Sequence, residues 1–143
     1  DLYETSFAFC DEISEDRYRN ICYAGHGKEF LVLAQNRDIR NVDEVTNEQL
    51  HTAINWCMLA GSSEGETSCL LEIQNSLYWG GENDYRTSIR YCSLIDSDTI
   101  RTDCFNRFYE NVLAYRNIPE EKKQICKAVP AQYAKSCSAV LLR

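Results

Sequence analysis

The chain has 143 residues, a length that suits one domain, with a net charge of −7, eight cysteines and two histidines. The negative charge counts against a nucleic-acid partner, which needs a basic surface, and against docking on anionic lipid. No apolar run approaches the roughly 18 residues of a membrane span, so direct insertion in a membrane is not expected.

Residues 3–13 are predicted to form a first helical arm, with Phe7, Phe9 and Ile13 as core positions. The polar stretch Ser14-Glu15-Asp16 ends it, and a second arm runs from about Asp16 to Gln35. That arm contains Cys22-Tyr23-Ala24-Gly25-His26-Gly27. Two glycines inside a helix cost roughly 1 kcal/mol each relative to alanine, so either something packs tightly there or the helix bends.

Residues 36–46 read as a polar insertion, a loop with one short helical turn through Ile39, Val42 and Val45. Thr46 with Gln49 makes a capping box for a helix from about Asn47 to Ala60. After Gly61-Ser62-Ser63, with Ser63 and Glu66 as caps, its partner extends to Tyr78-Trp79 and stops at Gly80-Gly81. Asp84 opens a third pair, whose second arm covers about 98–116. Asn117-Ile118-Pro119-Glu120-Glu121 is a helix start, with proline in the first turn and acids at the positive end of the helix dipole. A last arm covers about 130–142.

The cysteines impose a period on these elements. Cys10 to Cys22, Cys57 to Cys69 and Cys92 to Cys104 each span thirteen residues, and Cys126 to Cys137 spans twelve. The first cysteines are 47, 35 and 34 residues apart, a mid-thirties period that marks stacked helix–turn–helix units, with one insertion between the first two. An apolar residue precedes each first cysteine: Phe9, Trp56, Tyr91 and Ile125. Another follows three residues later, at Ile13, Ala60, Ile95 and Val129. These spacings put them on one helical face with the cysteine. After the second cysteine the stripe continues at plus four and plus eight, with Ile73 and Leu77, then Phe108 and Val112; unit one has His26 and Phe30 there. A turn lies between the cysteines of every pair, so each pair reads as a helical hairpin with one cysteine on each arm. Eight cysteines allow 105 pairings; the repetition selects 10–22, 57–69, 92–104 and 126–137. The fold expected is all-α: one domain of four stapled hairpins, about eight helices, with units at about 1–35, 47–81, 84–117 and 118–143 and the insertion at 36–46.

An even, regular set of eight cysteines points to an oxidising compartment: periplasm, cell surface or extracellular space. A cytosolic zinc or redox protein would need C-x-x-C or Cys/His clusters, and the sequence has none. Asp1 in place of Met fits removal of a signal peptide.

The candidates for chemistry each have a plainer reading. His26 stands on the core stripe between two glycines. It could ligate a metal or haem, but His51 lies in another unit and no C-x-x-C-H motif exists, so a histidine satisfied by a neighbour or a backbone carbonyl is favoured. All eight cysteines are used by the repeat, and no G-x-S-x-G is present, so no catalytic residue, cofactor or metal is assigned. Asp11, Glu12, Glu15, Asp16, Glu64, Glu66, Asp96, Asp98 and Asp103 lie in or beside the turns, where solvation and helix N-terminal charge explain them; docking of a basic partner or weak Ca²⁺ binding is the functional alternative, and no EF-hand loop is present. Tyr23, Tyr78, Trp79, Tyr85 and Tyr109 are less clearly internal, and with His26 form the set expected at an interface.

The mid-thirties period of paired helices resembles the tetratricopeptide and Sel1-like class, and the staple within each hairpin is similar to cysteine-rich secreted Sel1-like proteins. The tetratricopeptide pattern of Trp, Leu-Gly, Tyr and Pro is not reproduced. The resemblance implies a binding scaffold and carries over no functional residue. The function expected is a non-catalytic scaffold or accessory subunit that binds a partner protein within a larger assembly. A secreted helical carrier of a small apolar ligand is the alternative; it would need interlocked disulfides around an apolar cavity.

Overall fold

The computed structural model of the chain describes residues 2–35, 45–79 and 84–143. Among these residues it holds eight α-helices and no strand: α1 (Leu2–Asp11), α2 (Asp16–Ala34), α3 (Asn47–Cys57), α4 (Ser63–Trp79), α5 (Tyr85–Ser93), α6 (Asp98–Tyr115), α7 (Pro119–Ala128) and α8 (Ala131–Leu141), with a 3-10 turn at Met58–Ala60. The readings for 36–44 and for Gly80-Gly81 lie outside the described residues. The four bonds form as the repetition requires: Cys10–Cys22, Cys57–Cys69, Cys92–Cys104 and Cys126–Cys137, with no free cysteine. Cα–Cα distances of 5.5 to 5.6 Å show that each pair of arms meets at the spacing a disulfide needs.

Local chemistry sets the helix ends. The capping box forms as expected, Gln49 N–H donating to Thr46 Oγ1 at 3.1 Å and Thr46 N–H to Gln49 Oε1 at 2.9 Å. Asp84 and Ser97 cap α5 and α6, and Pro119 opens α7. The cap of α4 is Ser62, one residue earlier than expected: its Oγ accepts the Gly65 N–H at 3.0 Å. Gly61 supplies the left-handed conformation (φ 75°) that turns the chain there.

The hairpins stack in chain order as two layers. The second arms lie side by side, α2 against α4, α4 against α6 and α6 against α8; in the first-arm layer α3 meets α5 and α5 meets α7. The core runs the length of the stack between the layers. The approach of α2 to α4 is close because both present glycine. A Cβ at Gly27 would fall 2.1 Å from the Cys69 carbonyl oxygen, and one at Gly65 would fall 3.1 Å from the Tyr23 ring. Tight packing, one of the two reasons considered for the glycines, holds at Gly27; a Cβ at Gly25 would meet nothing within 4 Å.

Arginine ties unit one to unit two and unit three to unit four. Arg19 Nη1 donates to the Ile13 carbonyl at 2.8 Å, its Nη2 meets Asp16, and its Nε reaches Glu64 of the next unit at 3.1 Å. Arg101 repeats the arrangement: Nη1 to the Ile95 carbonyl at 2.7 Å, Nη2 to Asp98, and Nε to the Tyr133 hydroxyl at 2.8 Å in unit four. Each guanidinium satisfies turn carbonyls of its own hairpin with one edge and grips the neighbour with another, a task suited to its planar fork.

Candidate interaction surface

Alignment on the cysteines shows which positions face which neighbour. The residue before the first cysteine packs on the preceding unit. Trp56 meets Tyr3 and Phe30 with centroids 5.5 and 5.6 Å apart, and the Tyr91 hydroxyl donates to the Leu70 carbonyl at 2.7 Å. Tyr133, four before a second cysteine, lies 4.3 Å from Phe105 of unit three. Facing them from the preceding unit is a stripe that begins directly after the second cysteine and recurs every four residues: Tyr23, Gly27 and Leu31; Leu70, Gln74 and Tyr78; Phe105 and Tyr109. All are buried.

This corrects the interface expected for Tyr23, Tyr78 and Tyr109. They are inter-unit core. The Tyr23 hydroxyl donates to Asp11, Tyr78 stands edge-on to Phe108 at 5.4 Å, and Tyr109 lies 5.9 Å from Phe108. Burial raises the Tyr78 and Tyr109 phenols to about 12 and pushes the Tyr91 phenol well up. Tyr85 is half-buried, with the Arg86 guanidinium 5.0 Å from its ring centre. The side chain of Trp79 lies outside what the structure describes.

Among the described residues the equivalent face of unit one is exposed at two of its repeat positions. Phe9, expected in the core, is 67% exposed, whereas Tyr91 and Ile125 at the same repeat position are fully buried. Tyr18 is 53% exposed; its counterparts Gly65, Ile100 and Tyr133 are buried. Ile13 is half-buried. Leu2 is exposed and lies on the same side of α1 as Ser6 and Phe9 by helical spacing.

His26 sits in this face, half-buried, where Ile73, Phe108 and Leu141 are buried in the other units. Its Nδ1–H donates to the Cys22 carbonyl at 2.9 Å, its Nε2 accepts from the Ser6 hydroxyl at 2.7 Å, and its ring stacks on Phe7 at 4.2 Å. Both ring nitrogens thus have a partner within the unit. The pair lines an open cavity of about 430 Å³ together with Leu2, Tyr3, Phe30 and Leu33. No group of three or more His, Cys, Asp or Glu that could hold a metal occurs among the described residues.

At the other end the stack is finished differently. In unit four the position after the second cysteine is Ser138, exposed, where the other units place buried Tyr23, Leu70 and Phe105. Leu141 packs back into the core and Leu142 is partly exposed. The outer column of unit four is thus mixed, with Ser138 and Leu142 both exposed and Val140 37% exposed beside them.

A second depression, of about 490 Å³, crosses the second arms through Lys28, Glu72, Asn75, Arg107 and Asn111. There Asn111 donates to Asn75 Oδ1 at 2.9 Å and Asn75 donates to Glu72 Oε2 at 3.0 Å. Arg107 pairs with Glu110 at 3.6 Å.

No family model, no curated protein and no solved structure matches the chain. No helix among the described residues is long and apolar enough to cross a membrane. The four disulfides call for an oxidising environment.

Proposed function

We propose that the chain is an exported, non-catalytic scaffold or accessory subunit that binds a partner protein within a larger assembly, through the outer face of unit one. The observation that carries this is the exposure of Phe9 and Tyr18 at repeat positions whose counterparts in units three and four are buried against a neighbour. Large apolar side chains left exposed at repeat positions that are buried elsewhere in the stack favour a surface that a partner covers. The period and the hairpin staples are in keeping with a tetratricopeptide- or Sel1-like scaffold. The test places a photo-crosslinking residue at 9 or 18 in protein made by the source organism, with Met58, 45% exposed elsewhere on the stack, as the control position. One partner captured from 9 and 18 but not from 58 is the expected result. No product, or the same products from all three positions, would contradict the proposal.

The carrier reading has one observation in its favour: the cavity beside His26 is walled by Leu2, Tyr3, Phe30 and Leu33, with one polar pair at its floor. The local, sequential disulfides and the openness of the cavity to solvent weigh against it. Displacement of a fluorescent apolar probe, abolished by Leu33→Glu, would favour it.

A further inference from the structure

We propose that the Cys10–Cys22 staple is a thiol–disulfide exchange site, which takes a small thiol with an apolar, uncharged body from the open cavity beside His26. Attack falls on Cys22, and Cys10 is the sulfur released. The other three staples stay closed. The site is independent of whether a partner protein docks on unit one.

Reach separates the four bonds. All eight cysteines are among the described residues, and seven of them are buried. Cys22 is half-buried and lines the cavity of about 430 Å³, whereas its partner Cys10 is fully buried. A thiolate must meet a disulfide sulfur directly, so exchange depends on which sulfur is accessible. Access makes Cys22 the sulfur attacked and Cys10 the leaving group.

A hydrogen-bond donor stands at the leaving sulfur. His26 Nδ1, 2.9 Å from the Cys22 carbonyl, lies 4.0 Å from Cys10 Sγ. Ser6, 2.7 Å from Nε2, holds the ring from its other side. The other units place Ile73, Phe108 and Leu141 at this position, and none of these side chains can donate. A thiolate set free in a buried place is costly without such a donor. One other staple has a donor: Gln74 Nε2 lies 2.9 Å from Cys92 Sγ. Gln74, Cys92 and Cys104 are all fully buried, so no thiol reaches that bond.

The step balances with the thiol as its only reagent. The incoming thiolate forms a bond to Cys22 Sγ as the Cys22–Cys10 bond breaks. The electron pair of that bond leaves on Cys10, which becomes the thiolate beside His26. The incoming sulfur is oxidised to a mixed disulfide and Cys10 is reduced. One thiol is held per chain, and attack by Cys10 on the mixed disulfide expels it again. The cavity selects the body of the thiol: its volume is that of a small-molecule site, and Leu2, Tyr3, Phe30 and Leu33 wall it.

The test exposes the folded, oxidised full chain to phenylmethanethiol, quenches with an alkylating agent and maps the peptides by mass spectrometry. The charged thiol 2-mercaptoethanesulfonate is the comparator, and each rate is divided by that thiol's rate on a free small disulfide. The expected first product carries the thiol on Cys22 and the alkyl group on Cys10. It forms about tenfold or more faster than any other staple opens, and the normalised rate is higher for phenylmethanethiol. Gly25 lines the cavity, and a Cβ there meets nothing within 4 Å, so Gly25→Phe narrows the site and slows the adduct about tenfold. His26→Phe, which installs the residue that unit three carries at this position, also slows it and leaves the other staples unchanged. A purely structural His26 predicts the opposite sign, because unit one would loosen and exchange would quicken. First attack at Cys10 or at another staple, no adduct, equal normalised rates for the two thiols, or faster exchange in His26→Phe would overturn the proposal.

Discussion

Gly27 lies directly beneath the carbonyl of Cys69, so close that a Cβ on it would sit 2.1 Å from that oxygen. The contact lets the backbones of α2 and α4 meet, and it explains a glycine that helix propensity alone disfavours. Gly27→Ala must push two helices apart at the seam of units one and two, and the expected loss is about 3 kcal/mol or more, within the range of overpacked cores. Gly25, two residues away, has open space where a Cβ would go. Gly25→Ala should stabilise the protein by about 0.5–1 kcal/mol through helix propensity. Denaturant melts of the two variants therefore shift in opposite directions.

Phe9 and Tyr91 occupy one repeat position with opposite surroundings, and truncation should separate them. Tyr91→Ala removes a buried ring and its hydrogen bond to the Leu70 carbonyl, at a cost of about 3–5 kcal/mol. Phe9→Ala removes an exposed ring and should change stability by no more than about 0.5 kcal/mol. Chemical denaturation of both variants checks this. A large loss at Phe9 would mean that its ring is already covered within the chain, and the docking face would go with it.

The buried phenols make stability pH-dependent at the alkaline end. Tyr78 and Tyr109 hold their protons up to about 12, above the ordinary 10, so each binds its proton more tightly in the folded chain than in the unfolded one. Their contribution is complete below pH 10 and is lost as the pH rises toward 12. Ultraviolet titration of the folded protein should show Tyr78, Tyr91 and Tyr109 ionising late and together with loss of helix. Ionisation of all tyrosines near pH 10 with the helix intact would contradict the burial.

The arginine clamps give a fourth expectation. Arg19→Lys and Arg101→Lys keep the charge but cannot span two turn carbonyls and a neighbour at once. Both should lower the thermal midpoint. Hydrogen exchange should rise at the 13–16 turn in the first variant and at the 95–98 turn in the second. Loss confined to high charge screening, with the turns unchanged, would reduce the clamps to surface ion pairs.

The staples, the hairpins and most helix ends were legible in the sequence because each is written several times or carried by cap chemistry at fixed spacing: Thr46 with Gln49, Asp84, Ser97 and Pro119. What escaped was the second stripe of the long arms. Tyr23, Tyr78 and Tyr109 sit one, nine and five residues after their cysteines, and without the stacking geometry their tyrosines look like surface. Aligning the four units and noting Tyr23, Leu70 and Phe105 in one column would have revealed the seam. Phe9 was misplaced for the converse reason. Its column is apolar throughout, and composition cannot say which member of the column is left exposed. His26 was legible as the odd member of its column, but its bonds to Ser6 and to the Cys22 carbonyl depend on how α1 crosses α2.

The exposed face exists only if four hairpins repeat in one register, and the disulfides are the chemical record of that register. Mass spectrometry of peptides cut from the unreduced native protein reads it directly. Four bonds, each within one hairpin and joining 10 to 22, 57 to 69, 92 to 104 and 126 to 137, are the result this account requires. A bond running from one hairpin to another would contradict it.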